Sequence, residues 1–279
     1  MDLLKGKPVA DKLKAEVKER IADLEHQGKR SPGLVFIRVG EGQDSASYLR
    51  SIEKQALAAG MHFKKEEIAS SQTEEALIKV IESYNVNPDI DGIICSMPLP
   101  EHMDANKIRN LISPEKDVEA QNPINAGRLL LGTNKVYPCT PEAVRQILLH
   151  YGYPLEGKNC VILGRSNILG KPLALIMLEE NCTVTVCHSR TKDLAAIASK
   201  ADILISCMGR AKMIDHSYTN PNQIVVDVAI NVDENGKMCG DIDFEDVEDK
   251  VSAITPVPGG VGPVTNAILM LNTLACYQG

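Results

Sequence analysis

Short apolar runs alternate with amphipathic helical patterns along most of this sequence, and no other feature restricts its fold as strongly. Residues 33–39 (GLVFIRV) form a nearly continuous apolar run, as in strands buried on both faces of a sheet. Residues 8–28 precede this run and carry apolar side chains at helical spacing, namely Val9, Leu13, Val17, Ile21 and Leu24. Because strands that alternate with helices belong to parallel sheets, the sequence predicts an α/β fold.

The alternation continues to the end of the chain and divides it in two. We expect helices at 45–59, 73–84, 141–150, 171–180, 192–200 and 263–277, and strands at 91–97, 159–163, 183–187, 202–207 and 223–229. Residues 114–139 are rich in loop signals, so the predicted domain boundary lies near residue 139. Residues 140–262 have a Rossmann-like order of elements. We expect residues 1–139 to form the other domain, completed by the C-terminal segment 263–279.

Charge and cysteine usage exclude several classes of protein. The formal net charge is −7, from 30 basic and 37 acidic residues, so the basic footprint of a nucleic-acid-binding protein is absent. No stretch approaches the ~20 apolar residues of a membrane span, and the N-terminus has no apolar signal core. The eight cysteines include no C-x-x-C pair and favour free thiols in a reducing compartment. We expect a cytoplasmic protein without membrane or nucleic-acid partners, and the scattered histidines predict no metal site.

A glycine-containing turn follows the predicted strand 159–163. The turn reads Gly164-Arg165-Ser166-Asn167-Ile168-Leu169-Gly170-Lys171-Pro172 and leads into a predicted helix. Backbone N–H groups at a helix N-terminus favour a phosphate, and glycine lets the backbone approach it closely. We therefore expect Gly164, Arg165, Ser166, Ile168 and Gly170 to bind a dinucleotide. The motif differs from G-x-G-x-x-G, and an ordinary turn between strand and helix is the alternative.

The end of the next predicted strand indicates which dinucleotide is bound. An acidic residue about 20 positions after the glycine turn would bind the ribose of NAD. Here the strand ends at Cys187 and is followed by His188, Ser189 and Arg190, without a carboxylate. Ser189, Arg190 and Arg165 offer donors suited to a 2′-phosphate, so we expect NADP rather than NAD. A solvated surface arginine is the alternative interpretation of Arg190.

A proline- and glycine-rich segment, Thr255-Pro-Val-Pro-Gly-Gly-Val-Gly-Pro-Val-Thr265, follows the last Rossmann strand. Prolines fix φ, whereas glycines permit close approach of another group. We expect this loop, through Pro258, Gly259 and Gly260, to shape the nicotinamide and substrate pocket. The alternative is a plain connector between a strand and a helix.

The whole chain resembles the methylenetetrahydrofolate dehydrogenase/cyclohydrolase family. The resemblance rests on KDV (116–118), NAGRL (125–129), PCTP (138–141), GRSNILGKP (164–172), CHSRT (187–191) and ITPVPGGVGP (254–263). It implies a folate-binding N-terminal α/β domain, a C-terminal Rossmann domain that binds NADP, a cleft between them and a homodimer. It also implies Pro98 and Leu99 as substrate-site residues, and Gly209, Ile230 and Thr265 as cofactor-site residues.

The resemblance implies two successive reactions. The dehydrogenase step transfers a hydride from 5,10-methylenetetrahydrofolate to NADP and yields 5,10-methenyltetrahydrofolate. The cyclohydrolase step adds water to that cation and yields 10-formyltetrahydrofolate. Hydride transfer requires mainly that the donor carbon is held close to the nicotinamide, whereas water addition needs a group that moves protons.

The family's folate-site motif has a tyrosine followed four residues later by a lysine that serves the hydrolytic step. Tyr48 matches the tyrosine, and alignment without gaps to Gly60 puts Ile52 at the lysine position. Isoleucine moves no proton. Lys54 lies two residues further along a predicted helix, about 200° around its axis, and is expected to face solvent.

Two further positions differ from the family pattern. The family's VQLPLP corresponds here to CSMPLP, with Ser96 in place of the glutamine that partners the lysine. The family's KDVDG corresponds to KDVEA, so Glu119 keeps a carboxylate for the pterin but is one methylene longer. A generic loop acid is the alternative interpretation of Glu119.

The sequence leaves three hypotheses. The first is an NADP-dependent methylenetetrahydrofolate dehydrogenase whose cyclohydrolase activity is weak or lost, with Tyr48, Ile52, Ser96 and Glu119 at the positions that matter for catalysis. The second is the full bifunctional enzyme, with another group replacing the lysine. The third is a non-catalytic module that binds folate or NADP.

Overall fold

A computed structural model describes residues 1–278, apart from the side chains of residues 43–45, and it has alternating helices and strands. The strands are Asp2–Leu3 (β1), Gly33–Val39 (β2), His62–Ile68 (β3), Gly92–Cys95 (β4), Asn159–Leu163 (β5), Thr183–Cys187 (β6), Ile203–Ser206 (β7), Ile224–Asp227 (β8), Asn231–Val232 (β9), Met238–Cys239 (β10) and Ala253–Ile254 (β11). The α-helices are Gly6–His26 (α1), Gln43–Ala59 (α2), Glu74–Asn85 (α3), Ala105–Leu111 (α4), Pro123–Leu130 (α5), Cys139–His150 (α6), Gly170–Glu179 (α7), Leu194–Ala198 (α8), Phe244–Val247 (α9) and Val261–Cys276 (α10).

The chain divides into two compact units. Residues 1–11 and 138–265 form the unit that we call the nucleotide unit, and residues 12–137 and 266–279 form the unit that we call the α2 unit. The expected domains put residues 1–11 with the first domain, and the structure differs. The reason is that β1 pairs with β11 in parallel, with Asp2 opposite Ala253, so the N-terminus is an edge strand of the second sheet.

The nucleotide unit contains a six-stranded parallel sheet in the order β1-β11-β8-β7-β5-β6. The chain passes from β5 to β6 on one side and then returns to β7 on the other side of β5. The strand order therefore reverses between β5 and β7, which is the position where α/β sheets bind ligands at the carboxyl ends of their strands. The antiparallel hairpin β9–β10 was not predicted, since its strands have only two residues each.

The α2 unit contains a three-stranded parallel sheet in the order β3-β2-β4. All seven residues of β2 are buried, as its apolar run predicts. Phe36 at its centre is fully buried, which stabilises the fold by about 1.5–3 kcal/mol relative to an exposed ring. Strand β3 was missed because its sequence, HFKKEEI, is that of an exposed edge strand with charges that mask its alternation.

Three helices, α4, α5 and the four-residue α9, were also not predicted. The stretch 114–139, predicted to be loops, contains α5, which starts at Pro123 as its first residue. The Asn122 side chain caps this helix by accepting a hydrogen bond from the Ile124 N–H at 2.8 Å. Helix α4 likewise begins after a capping residue, Asp104. Within residues 1–278, no helix combines the length and the apolar character needed to span a bilayer.

Candidate functional site

Glycine builds the pocket at the carboxyl ends of β5 and β7. Gly164 has φ of +137°, and a Cβ there would lie 2.5 Å from Cys207 Sγ. A Cβ on Gly170 would lie 2.2 Å from the Gly164 carbonyl oxygen. A side chain at either position would therefore force neighbouring atoms to move.

Helix α7 begins at Gly170 without a side-chain cap. The Lys171 N–H donates to the Ser166 carbonyl at 3.1 Å, the Leu173 N–H donates to the Leu169 carbonyl at 2.9 Å, and Pro172 has no N–H. The Gly170 N–H is therefore the group that this first turn offers to a phosphate.

A cavity of about 270 Å³ occupies this position in the nucleotide unit. The predicted cofactor residues that line it are Gly164, Arg165, Ser166, His188 and Ser189. The predicted residues outside its lining are Ile168, Gly170, Arg190, Gly209, Ile230 and Thr265. Lining residues that the sequence analysis missed include Cys207, Met208 and Arg210 on the loop after β7. Their only sequence signal is that they follow a buried strand.

The turn after β6 is held by its own hydrogen bonds. The His188 N–H donates to Thr191 Oγ1 at 2.9 Å, and the Arg190 N–H donates to His188 Nδ1 at 3.2 Å. Ser189, Arg190 and Arg165 are exposed. The residues present therefore fit a phosphorylated dinucleotide. The glycines allow close approach of the backbone, Gly170 offers an N–H at the start of α7, and cationic and hydroxyl donors lie at the end of the second strand.

A buried carboxylate holds in place the loop after β7, which the sequence analysis did not assign to the site. Asp241 is fully buried, and its Oδ2 accepts hydrogen bonds from the Met208 N–H at 2.6 Å and the Ser206 hydroxyl at 2.8 Å. Its Oδ1 accepts from the Arg210 N–H at 2.6 Å and from Asn231 Nδ2 at 3.1 Å. Since Met208 and Arg210 line the cavity, Asp241 positions one of its walls.

A second buried carboxylate, Asp227 at the end of β8, supports the first. It accepts hydrogen bonds from the N–H groups of Asp241 at 3.1 Å and Ile242 at 2.8 Å. Burial and, to a smaller extent, the charge of Asp241 raise its pKa to about 7, although the backbone hydrogen bonds from Ile242 and Asp241 oppose the rise. The Asp227 N–H donates to Thr255 Oγ1 at 2.8 Å, which links this pair to the start of the proline- and glycine-rich loop.

The proline- and glycine-rich loop packs closely against the N-terminus of α1. The Gly6 N–H donates to the Gly259 carbonyl at 2.8 Å, and a Cβ on Gly6 would overlap the Gly260 carbonyl oxygen. Gly259 has φ of +105° and is exposed, as is Pro258. Thr265 Oγ1 is 3.4 Å from the Val261 carbonyl, within α10. The loop is thus tied down at several points, as a rigid pocket wall requires.

In the α2 unit, α2 carries the two residues predicted from the folate-site motif. Tyr48 is half-buried, and its ring meets Phe36 edge-to-face at 5.5 Å between centroids. Ile52 lies one turn later and is fully buried. The side chain at this position is therefore packed as a core residue. Lys54 is exposed, as predicted.

Ser96 and Glu119 lie near the carboxyl end of β4. Ser96 is buried, and its N–H donates to the Ile37 carbonyl at 2.9 Å. The segment before Glu119 runs beside β4, with the Ile93 N–H donating to the Lys116 carbonyl at 2.9 Å. Leu99 packs partly against the core below β4, and Pro98 is exposed after a cis peptide bond.

The carboxyl group of Glu119 is enclosed by protein, although the residue as a whole is partly exposed. Burial raises its pKa to about 7, with the nearby charge of Asp117 adding to the rise and Arg109 opposing it. Arg109 also leaves its buried Nε without a hydrogen-bond partner among the described residues. A carboxyl group with this pKa exchanges protons at neutral pH.

One histidine is less isolated than the sequence suggested. His216 Nδ1 lies 2.8 Å from Asp246 Oδ2, and Asp215 completes a group of three potential ligand atoms within 4.8 Å. The hydrogen bonds from the His216 backbone and ring lower the pKa of Asp246 to about 2. Lys250 also pairs with Asp246, so the group is an exposed ion-pair network in the nucleotide unit.

The reversed strand order, the glycine cradle and the uncapped helix define the nucleotide unit as a dinucleotide-binding α/β fold. Known families agree with this class. The chain belongs to the tetrahydrofolate dehydrogenase/cyclohydrolase family: the model of the family's catalytic domain matches residues 4–119, and that of its NAD(P)-binding domain matches residues 138–279.

Relatives and solved structures cover nearly the whole chain. The bifunctional protein FolD of Streptococcus thermophilus is 47% identical over 271 residues, which are 97% of this chain and 95% of the relative. The FolD methylenetetrahydrofolate dehydrogenase/cyclohydrolase of Campylobacter jejuni is 40% identical with a TM-score of 0.96, covering 99% of this chain and 98% of that one. The Trypanosoma brucei enzyme, solved with NADP and an inhibitor, is 35% identical with a TM-score of 0.93, covering 99% and 96%.

Proposed function

We propose that this protein oxidises 5,10-methylenetetrahydrofolate to 5,10-methenyltetrahydrofolate with NADP, and that its cyclohydrolase activity is weak or absent. Family membership and the glycine-built nucleotide pocket support the oxidation. The presence of NADP in the structure of the Trypanosoma brucei relative, together with Arg165 and Ser189 at the cavity, supports NADP as the cofactor.

The residues of this chain act mainly by positioning. Arg165, Ser189 and the Gly170 N–H at the start of α7 would hold the phosphates, and NADP, when bound, would supply the acceptor for the hydride. Tyr48 offers a ring for the pterin and a hydroxyl group for hydrogen bonding. Glu119 accepts hydrogen bonds from the pterin amino group when ionised. Orientation of this kind is the main requirement of hydride transfer.

One observation carries the loss of hydrolysis: the side chain at the family's lysine position, Ile52, is fully buried and apolar. Water addition to the methenyl cation needs a group that takes a proton from the water. Ile52 offers none, and Ser96 is too short to replace the glutamine that partners the lysine. Lys54 is exposed on another face of α2.

The full bifunctional enzyme is the second candidate, and Glu119 favours it. Its pKa of about 7 suits a general base at neutral pH. The relatives whose names describe bifunctional proteins are also consistent with this candidate. In this case Glu119 would have taken over the proton transfer that the family assigns to lysine.

The experiment follows reduced nicotinamide and methenyltetrahydrofolate together over time, with NADP and then with NAD. Accumulation of both products supports the proposal. Methenyltetrahydrofolate that disappears faster than its spontaneous decay contradicts it, and loss of the excess rate in Glu119→Gln identifies Glu119 as the base. If neither nucleotide is reduced although NADP binds, the protein is a non-catalytic binding module.

We also propose a homodimer in the cytoplasm. The hairpin β9–β10 and the residue before it expose large apolar side chains, Ile230, Val232 and Met238. Such side chains on a short antiparallel hairpin suit burial against a second copy. Light scattering of the protein and of Val232→Asp is the test, and a monomer for both would contradict the dimer.

A further inference from the structure

A groove between α1, α2 and α10 of the α2 unit has no role in the chemistry described so far. Its volume is about 510 Å³, within the range of small-molecule sites. Three lysines line it, Lys14 and Lys18 from α1 and Lys54 from α2. Its floor is apolar and includes Val17 and Met270. Among the side chains that the structure describes, no carboxylate belongs to the lining.

The three ammonium groups lack carboxylate partners among the described side chains. Lys7, earlier on the same helix, is by contrast paired with Asp11. Lys14 and Lys18 are four residues apart on one helix, where two like charges are neighbours and destabilise the helix. In a chain with a net charge of −7, this groove is a local concentration of positive charge. An anionic ligand would remove the repulsion.

A buried acceptor adds a second requirement for the ligand. Gln55 Nε2 donates hydrogen bonds to two acceptors on Ser51, the carbonyl oxygen and the hydroxyl oxygen, both at 3.2 Å. The Gln55 Oε1 is buried and has no hydrogen-bond partner among the described residues. A buried acceptor of this kind needs an N–H donor. A ligand that satisfies the groove therefore has both carboxylates and amide N–H groups, and an inorganic anion does not.

The groove comes within one helical turn of the residue that we assign to the pterin, because Ser51 lines it and lies three residues after Tyr48. Tyr48, Ser51 and Gln55 are at positions i, i+3 and i+7 of α2 and share one stripe of the helix. Asn266 Nδ2 also donates to Ser51 Oγ at 3.2 Å, which fixes the near end of the groove. A ligand bound at Tyr48 can therefore extend along α2 toward the lysines.

We propose that this groove binds the γ-linked glutamate tail of the folate substrate. The inference rests on the proposed function, because it requires a folate at Tyr48. Each γ-glutamyl unit carries one carboxylate and one amide N–H. Successive carboxylate-bearing carbons are about 6 Å apart, because each γ-linked unit adds two methylenes to the ordinary peptide repeat of about 3.8 Å. Lys14 and Lys18 are also about 6 Å apart along α1, at about 1.5 Å per residue.

The test compares 5,10-methylenetetrahydrofolate carrying one and three glutamates in the dehydrogenase assay at low ionic strength. We expect the KM for the triglutamate to be roughly threefold to tenfold lower, as two or three partly exposed ion pairs allow. The advantage should shrink as salt rises, because exposed charges are screened. In the double variant Lys14→Gln, Lys18→Gln the ratio of the two KM values should approach one. Lys12→Gln, an exposed lysine of α1 outside the groove, is the control and should keep the ratio.

Equal KM values for the two substrates in the unmodified protein would overturn the inference, as would an unchanged ratio in the double variant. Titration of the protein with γ-triglutamate peptide separates this inference from the proposed function. If neither substrate is oxidised, the proposed function fails. The inference about the groove is then still supported if the peptide binds the unmodified protein but not the double variant. It is refuted if the peptide does not bind, or if inorganic phosphate competes equally well.

Discussion

The nucleotide pocket and the folate-side residues of α2 and β4 are built in different ways. The pocket is formed mainly by backbone: Gly164 and Gly170 bring two chain segments into contact, and the Gly170 N–H opens α7 without a side-chain cap. On the folate side, the proposed chemistry depends on individual side chains, and the sequence predicts that Ile52 and Ser96 depart from the family pattern there. A backbone pocket does not survive a change of its glycines, whereas a side-chain site can lose one reaction and keep the fold.

This contrast suggests how one activity can be lost while the other is kept. The proposed replacement of a lysine by isoleucine in α2 leaves a well-packed core residue, since Ile52 is fully buried. No comparable replacement exists for Gly164, because any side chain there meets Cys207. Variants that change a glycine of the pocket, or side chains of the folate side, test this comparison directly.

The largest effect is expected for Gly164→Ala. The new methyl group would lie 2.5 Å from Cys207 Sγ at a φ of +137°. Strain and overpacking together should lower the free energy of unfolding by about 2–4 kcal/mol. We also expect oxidation at low NADP concentration to fall by about 100-fold. Denaturant unfolding and NADP titration measure the two effects.

Gly152→Ala is the matched control for this variant. Gly152 also has a positive φ, +74°, but no atom lies within 4 Å of the position that the new methyl group would take. Gly152→Ala should therefore lower the free energy of unfolding through backbone strain alone, by about 1–2 kcal/mol, and leave NADP binding unchanged. Equal losses of NADP binding in both variants would refute the view that the close approach at Gly164 shapes the pocket.

The second effect concerns the folate side, through the double variant Ile52→Lys, Ser96→Gln. It restores the pair that the family uses, and we expect hydrolysis of methenyltetrahydrofolate to rise by about tenfold to 100-fold, at the lower end of proton-transfer catalysis. Ile52→Lys alone should be less stable, because it buries an unpaired amine. Ile52→Met is the control and should leave hydrolysis at the spontaneous rate. No gain in the double variant would show that hydrolysis was not lost through these two positions.

Sequence patterns predicted the buried strands well, because apolar runs such as β2 and β5 leave little choice of structure. They missed β3, whose charged edge sequence has no clear pattern, and α5, whose proline start resembles a loop. For the site, the glycine turn was visible in the sequence. Asp241 was not, because its partners at Met208 and Arg210 are about 30 residues away and are backbone groups.

The third effect tests that missed residue through Asp241→Asn. The asparagine side chain keeps one oxygen that accepts hydrogen bonds. Its other end is an NH₂ group, which faces a backbone N–H and cannot accept a hydrogen bond from it. Loss of a hydrogen bond to a charged group costs about 1.5–3 kcal/mol, part of which should appear as a KM for NADP raised about tenfold. The KM for the folate should change little. Asp243→Asn, in the next turn, is the control, and an equal change there would mean that Asp241 has no special role in positioning the loop.

The smallest effect is expected for Glu119→Gln and is a difference in pH dependence. The pKa of Glu119 is raised to about 7, so the folded protein holds this proton more tightly than the unfolded chain does. The stability that this contributes is present below about pH 4.5 and is lost as pH rises toward 7. In Glu119→Gln, the fall in the free energy of unfolding between low and neutral pH should be smaller by about 1–2 kcal/mol, after allowance for the partial exposure of Glu119.

Asp227 titrates in the same pH range, since burial raises its pKa to about 7 as well. It remains in both proteins, so the difference between their unfolding free energies isolates Glu119. The measurement is denaturant unfolding of both proteins at intervals from about pH 4.5 to 8, the range over which the two states bind different numbers of protons. Parallel curves would mean that Glu119 is ionised without cost at neutral pH. Glu119 would then be a fixed acceptor for the pterin throughout this range, and the argument that it replaces the lysine as a proton carrier would lose its basis.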